Sequence, residues 1–540
     1  MERNALIAVA ISLAILVLYQ EVILKRLYPQ PVEQQEVAAG PTASSEPPPA
    51  PSEAAPPPLE GGEKTVPPVP ATAGREIDID TDLYHAVINT AGGRLMRFQL
   101  KRYRTTIDPS SPPQELVYSS GSQSILGVQL RGPESESDAG VVYTADRDRV
   151  DLTGAAEGTL VLTGTIGGAT IHKTFVFRND SYLFGIDVKV NGAASFSEIG
   201  VTWDKEIEKE QHGVQRLFEQ VAVLQAKKVL HEAFDKLADG KVLEKDIEWA
   251  GYDGRYFLAA LVPTDGEQMR LWLKERNQVL EAMVLAPRTG GKLGAHLDVY
   301  VGPKKIETLE AAGHSLSRSV DLGYFTFIAL PLLHALTLSH EFTGNYGIDI
   351  ILLTMVIKVL FLPLTQRSFK SMKAMQKLQP QMAKIRERFK DTPEQMNKEI
   401  MELYRRHKVN PLGGCLPMVL QIPVFIGLYN ALSHAMELRH APFMLWINDL
   451  SAPDRLGALA IPFVAPPGIP VLTLLMGVSM FVQQWMTPST GDPQQQRIMM
   501  IMPLMFTFMF VNFPAGLSLY WLVNNLLTIG QQFAINRAES

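Results

Sequence analysis

A single cysteine, Cys415, leaves this 540-residue chain without a partner for an intramolecular disulfide or a thiolate cluster for a metal. Its setting, Leu412-Gly413-Gly414-Cys415, has the form of a lipidation box but stands deep in the chain rather than after an N-terminal signal, so it reads as a structural thiol. Positive charge is not in excess. Lys and Arg number 50 against 56 Asp and Glu, a formal net charge of −6, which argues against general affinity for nucleic acid. The sequence has no Ser-His-Asp order, no paired carboxylates at a recognisable spacing and no phosphate-binding loop, so it suggests no enzyme and calls for no cofactor or metal. His85 and His172 are isolated on strand-like patterns, and His434 and His440 lack the spacing of a zinc protease. Aromatic residues are missing from Pro29 to Gly74, where Pro, Ala, Glu, Ser and Gly dominate. Such a stretch cannot bury enough apolar surface to offset its ordering entropy, and residues 28–74 are expected to be an extended tether.

What the chain does have is apolar sequence, distributed unevenly. Ala5 to Leu24 is interrupted only by Ser12, Gln20 and Glu21, and is long enough to cross about 30 Å of hydrocarbon. No small-x-small cleavage site follows it, so residues 1–27 are expected to be an uncleaved signal anchor with its N-terminus in the cytoplasm. Residues 75–318 switch to a period of two. Tyr84–Ile88, Thr159–Thr163, Ala169–Phe177 and Tyr182–Val190 alternate, and turns such as Gly167-Gly168, Asn179-Asp180 and Asn191-Gly192 separate them. This pattern predicts an all-β sandwich, with helices over Leu217–Leu230 and Ile306–Ser317. The domain reads as a scaffold or interaction surface.

The second half carries apolar runs at Leu322–Leu338, Ile348–Leu364, Leu416–Leu432, Ile469–Met486, Ile498–Phe513 and Leu517–Ile535. Between the second and third lies a basic stretch, Thr365–Asn410, which the positive-inside rule places in the cytoplasm. If the β domain lies outside, only one span fits between it and this loop. The first run, with Asp321 before it, Pro331 within it and His334, His340 and Glu341 near its end, is the better candidate for a helix lying on the membrane, residues 319–343. The core, residues 344–540, then has spans at about 348–364, 416–432, 469–486, 498–513 and 517–535. With the anchor this makes six transmembrane helices and puts both termini in the cytoplasm. A helical hairpin over 366–409 is expected from Gln366–Lys390 and Glu394–Lys408, broken at Asp391-Thr392-Pro393, where Asp391 or Thr392 can cap the second helix.

Lys358 is the one charge well inside a span, where a cation costs about 2.5–3.5 kcal/mol on insertion scales and needs a compensating environment. Two readings stay open: snorkelling to the headgroups, or a functional cation in a wet groove. Thr354 shares its helical face, Tyr520, Asn524 and Thr528 form an i, i+4, i+8 stripe on the last span, and Gln421 joins from another. Such stripes serve as interhelical glue or line a water-filled groove. In the hairpin, Met372, Met375 and Met382 could form an adaptable surface for apolar clients or simply pack the seam. Its basic residues, Arg386 and Arg388 among them, suit anionic lipid or ribosomal RNA as well as the topology rule.

Several motifs closely resemble the YidC insertases: Asn410-Pro411-Leu412-Gly413-Gly414-Cys415-Leu416-Pro417 followed by Gln421-Ile422-Pro423-Val424-Phe425; Leu362-Pro363-Leu364-Thr365; Ala441-Pro442-Phe443-Met444-Leu445-Trp446-Ile447 with Asp449-Leu450-Ser451; and Phe513-Pro514-Ala515-Gly516-Leu517. The order of elements agrees across nearly the whole chain. The resemblance implies a Gram-negative inner-membrane protein with a periplasmic supersandwich similar to galactose mutarotase, and a groove open to cytoplasm and lipid but closed outward. It implies nascent membrane proteins as clients and the Sec translocon, the ribosome and membrane lipids as partners. Lys358 falls where the family usually has arginine, keeping the charge without the planar fork. Thr354 and Trp521 fall on the implied substrate path, and Phe425 and Met505 on the side by which a client's apolar segment would slide into lipid. The rival reading is a transporter or channel with Lys358 as its site, which predicts internal repeats that the sequence lacks.

Overall fold

The computed structural model describes residues 74–119, 123–192, 194–207, 220–264, 269–409, 416–462, 464, 466–487 and 493–538. The expected anchor, nearly all of the expected tether, and the motif Asn410–Cys415 lie outside them.

Residues 76–303 form strands in three sheets of five, nine and six members. All pair antiparallel with their neighbours except Glu76–Asp80 with Arg149–Asp151. The nine-stranded sheet is built around the hairpin Ala169–Arg178/Leu183–Asn191, in whose first strand every second residue is buried and those between are half-buried or, at Arg178, exposed. The inward residues Ile171, Phe175 and Phe177 join Phe98, Phe184, Trp249 and Tyr252 in one continuous core shared by all three sheets. This is the β-sandwich that the alternation predicts.

Two of the expected helices need revision. From Gln220 onward the stretch Leu217–Leu230 is a hairpin, Gln220–Gln225 with Lys228–Glu232, closed by Ala226 and Lys227 at φ of 48° and 64°. Two left-handed residues in succession match the twist of a two-residue turn, but Ala-Lys carries no Asn-Gly signal, so the turn was invisible and the apolar spacing suggested a helix. Ile306–Ser317 is helical only over Ile306–Ala312 (α1). His314 and Ser315 then adopt positive φ and lead into a 3-10 turn, Leu316–Ser319.

One residue pins the sheets together. Lys173 and Asp138 are both fully inaccessible and paired at 2.5 Å. From the nine-stranded sheet, the same ammonium donates to the carbonyls of Leu126 (2.9 Å) on the six-stranded sheet and of Gly92 (3.0 Å) and Gly93 (3.2 Å) in a turn of the five-stranded one. Tyr143 donates its hydroxyl to Asp138 from 3.1 Å. A buried charge of either sign is tolerable only with this degree of compensation.

The helical half comprises α2 (Thr326–Thr343), α3 (Tyr346–Lys377), α4 (Gln379–Arg388), α5 (Pro393–Arg406), α6 (Leu416–His434), α7 (Val471–Met486), α8 (Pro493–Phe510) and α9 (Ala515–Ala538). Asn345 caps α3 by accepting from the backbone N–H groups of Gly347 and Ile348. Nothing breaks α3 at the end of the apolar run, so it continues as one 32-residue helix into the basic stretch, and the first hairpin helix is not separate as expected. The break comes at Leu378, with Pro380 in the first turn of α4. Thr392 stands at the N-cap of α5 with Pro393 at its first position, though its side chain makes no capping bond. Met375, Leu378, Met382, Leu403 and Tyr404 form a small core between these helices, and Tyr404 donates to the Met382 sulfur at 3.3 Å. Met375 and Met382 therefore pack the seam, while Met372 is half-buried.

The loop after α6 joins the two halves. Met436 enters the core of the sandwich and Leu438, two residues on, that of the helices. Arg439 donates to Gln114 Oε1 at 2.8 Å and lies over the Phe257 ring, while Arg255 donates to the Ser433 carbonyl at 2.6 Å.

Candidate functional site

Helix α9 is polar on two faces that do different work. Toward α7 it presents Ser518, Asn525 and Gln532, spaced by seven residues and thus on one stripe. Asn525 donates to Ser479 Oγ (3.0 Å) and Gln532 to Thr487 Oγ1 (3.1 Å), while Thr473 and Ser518 meet at 3.5 Å. This seam was missed in the sequence, although the heptad spacing of small and amide side chains was there to be found. Its floor is also set from outside the helices: the buried Asp454 accepts from the Leu472 and Thr473 amides at the start of α7 and from Trp446 Nε1.

The other face of α9 carries the predicted stripe. Lys358 Nζ on α3 donates to Thr528 Oγ1 at 2.7 Å, and the Thr528 hydroxyl in turn donates to the Asn524 carbonyl at 2.6 Å. From α6, Gln421 Nε2 donates to Asn524 Oδ1 at 3.3 Å. Lys358, Gln421, Asn524 and Thr528 thus form one polar band across three helices. Lys358, Gln421 and Asn524 are half-buried and Thr528 is buried. Lys358 has no carboxylate partner among the described residues.

The remaining predicted residues sit at the edges of this band. Thr354 is buried and returns its hydroxyl to the Ile350 carbonyl of its own helix at 2.6 Å. Tyr520 is buried one turn from Asn524. Trp521 belongs to an aromatic cluster, edge-on to Phe425 at 4.7 Å and close to Phe510 at 5.3 Å and Phe506 at 6.1 Å. Phe425 accordingly faces Trp521, whereas Met505 on α8 is exposed alongside Ile501, Leu504, Phe508 and Met509. Arg386 is half-buried and Arg388 exposed in the hairpin, away from the band. No group of three or more His, Cys, Asp or Glu residues suited to a metal occurs among the described residues.

The outer surfaces of these helices are apolar. Val356, Val359 and Leu360 on α3 and Leu474, Val478 and Trp485 on α7 are exposed. Helix α3 is long and apolar enough to cross a membrane, and α7 and Met499–Phe510 are shorter apolar helices. Exposed apolar area on this scale suits lipid rather than water.

Comparison with known proteins gives concordant results. Residues 76–335 match the family model described as the YidC periplasmic domain, and residues 338–540 that of the 60Kd inner membrane protein. The chain is 40% identical to the membrane protein insertase YidC of Pelobacter propionicus over 99% of both sequences. It is 41% identical to that of Geobacter sulfurreducens over 85% of this chain and 86% of the relative. A solved active YidC insertase superposes loosely, with a TM-score of 0.37 and 19% identity over 84% of this chain and 92% of its own.

Proposed function

Since the chain belongs to the YidC family of membrane protein insertases, we propose that the polar band around Lys358 is the surface on which it receives nascent membrane proteins. The observation that carries this reading is the direction of the ammonium. Lys358 reaches sideways to Thr528 on the last helix, rather than along its own helix toward an end, as snorkelling would require. With one hydroxyl as its partner, the ammonium keeps N–H groups for water or for a client's acidic flank. The apolar part of the client then leaves past Met505 and the aromatic cluster of Phe425 and Trp521. Partition into lipid supplies the driving force, at about 25 cal/mol per Å² of apolar surface removed from water. This is transfer without bond chemistry.

In this reading α3 and α6–α9, with the N-terminal segment, make six spans of the bacterial inner membrane, with the sandwich in the periplasm and both termini in the cytoplasm. The basic hairpin faces the ribosome and anionic lipid, and the Sec translocon is a partner for larger clients. Helix α2 lies along the outer surface of the bilayer, which fits its exposed Phe327, Leu338 and Phe342 and the exposed Tyr324 just before it. The sandwich, with its three sheets, is of the galactose mutarotase type and serves as a scaffold.

Replacement of Lys358 tests this reading. A charge attracting a client carboxylate at ~6 Å with an effective dielectric of about 20 contributes roughly 3 kcal/mol, so Lys358→Ala should slow insertion of an acid-flanked client by up to ~100-fold. Lys358→Arg should retain activity and Lys358→Glu should be worse than Ala. Unchanged insertion by Lys358→Ala in a depletion strain would remove the cation from the mechanism.

A further inference from the structure

The loop after α6 carries an apolar turn that the insertion reading does not use. From Ala441 to Ile447 there is no charged side chain, and the turn Phe443–Ile447 closes with Phe443 N–H donating to the Ile447 carbonyl (2.9 Å) and Ile447 N–H to that of Met444 (3.1 Å). Its base is bolted down. Asn345 Nδ2 donates to the Phe443 carbonyl at 3.0 Å, Trp446 Nε1 is held by Asp454, and Ile447 is buried. The Phe443 ring lies on the first turn of α3, so close that a Cβ on Gly347 would come within 1.9 Å of it. The flanking polar groups are turned to the base as well: Asp449 Oδ1 accepts from the His440 and Ser451 amides.

The tip is the reverse. Leu445 is 81% exposed and Met444 49%, and Leu445 holds a φ of 57°, a left-handed conformation that branched apolar side chains avoid. A large side chain held in a disfavoured conformation, with its backbone tied beneath it, presents itself outward by construction. Continuity says what it meets. Gly347 places the turn at the very start of α3, whose first turns also expose Ile348 and Leu352, and Asn345 follows three residues after Phe342, which is 84% exposed at the end of α2. Water would leave all of these apolar groups wet. The edge of a lipid leaflet covers them together: the Met444 and Leu445 side chains reach the acyl chains, while the tip's N–H groups, outside the two bonds that close the turn, stay at headgroup depth.

We propose that Met444 and Leu445 form a fixed wedge inserted into the acyl region of the outer leaflet, beside the outer end of α3. This rests on α3 being a span, so the test keeps the two apart. In a Cys415→Ser background, an environment-sensitive fluorophore is placed at Leu445→Cys, or for reference at Val359→Cys, in the full chain reconstituted in phosphatidylcholine/phosphatidylglycerol vesicles. Nitroxide lipids labelled near the headgroup should quench the position-445 probe at least twofold more than lipids labelled near the chain end, and aqueous iodide should quench it little. Iodide quenching at position 445 as strong as in solution, with lipid quenching retained at 359, overturns the wedge and leaves the span. Iodide access at both positions overturns both. A photoactivatable lipid with its diazirine near the glycerol, applied to the unsubstituted chain, gives an independent reading. Adducts should map to residues 441–450, and their absence there while α3 is labelled counts against the wedge.

Discussion

The cage around Lys173 makes a quantitative prediction about the sandwich. Lys173→Met removes the ammonium while keeping an unbranched side chain of similar reach. Asp138, fully buried, then loses its cation and retains only the Tyr143 hydroxyl among the bonds described for its side chain. Breaking a buried pair from one side costs about 3–5 kcal/mol, because the remaining charge stays desolvated. The three carbonyls that lose a donor add to this, though less, since a carbonyl tolerates partial satisfaction better than a charge does. Lys173→Met with Asp138→Leu removes both charges, leaving mainly the carbonyls, so the pair should be destabilised by only about 1–2 kcal/mol. The coupling between the two sites is therefore expected to exceed about 2 kcal/mol. Pulse proteolysis of the detergent-solubilised full chain in a urea series, following cleavage within residues 75–318, measures each corner of the cycle. A single Lys173→Met within 1 kcal/mol of the parent, or a double variant no better than the single, would refute the argument that the cage is an electrostatic requirement.

Other expectations follow the same physics. Burial among neighbouring strands, against an amide donated by Ser124 and with Glu281 opposite, pushes Asp204 up to about 7 from an ordinary 3.8. Between those values the folded chain holds a proton that the unfolded chain has released, so stability present at pH 4 should be lost as pH rises to 7. Asp204→Asn should flatten that slope and raise urea stability at pH 8 by about 1–2 kcal/mol, the partly exposed carboxylate being screened by solvent. Gly347→Ala should displace Phe443, cost roughly 1–3 kcal/mol and open the 443–447 turn to proteinase K at protein levels that leave the parent intact. Asp454→Ala should lose about 1–2 kcal/mol through the uncapped start of α7, with Asn recovering part of it in thermal-shift measurements.

The strands that alternate cleanly, such as Ala169–Arg178, were legible because each residue's face is fixed by its own position in the chain. The Gln220–Glu232 hairpin was not, since its turn depends on two ordinary residues, Ala226 and Lys227, being held left-handed by the pairing of their flanks. At the site, Lys358 stood out as a charge in an apolar run, and the stripe Tyr520/Asn524/Thr528 gave the facing helix. That Thr528 rather than Asn524 receives the ammonium depends on the relative rotation of α3 and α9, which no local pattern encodes. The packing of Phe425 on Trp521 is likewise set by three helices at once. Lys173 was unremarkable in sequence because its partners are 35 to 81 residues away, on strands whose arrangement is a property of the whole sandwich.

The alternation at Met436 and Leu438 has a consequence for how such chains change over time. Two side chains of one short connector, two residues apart, serve as keystones of two different cores, and Arg439 is committed to Gln114 on the far side. A descendant that shed the sandwich would inherit a bare methionine and an unmated guanidinium at the mouth of its bundle. Loss of the large domain and refitting of Met436 and Arg439 should therefore travel together, the connector recording which architecture it was shaped for.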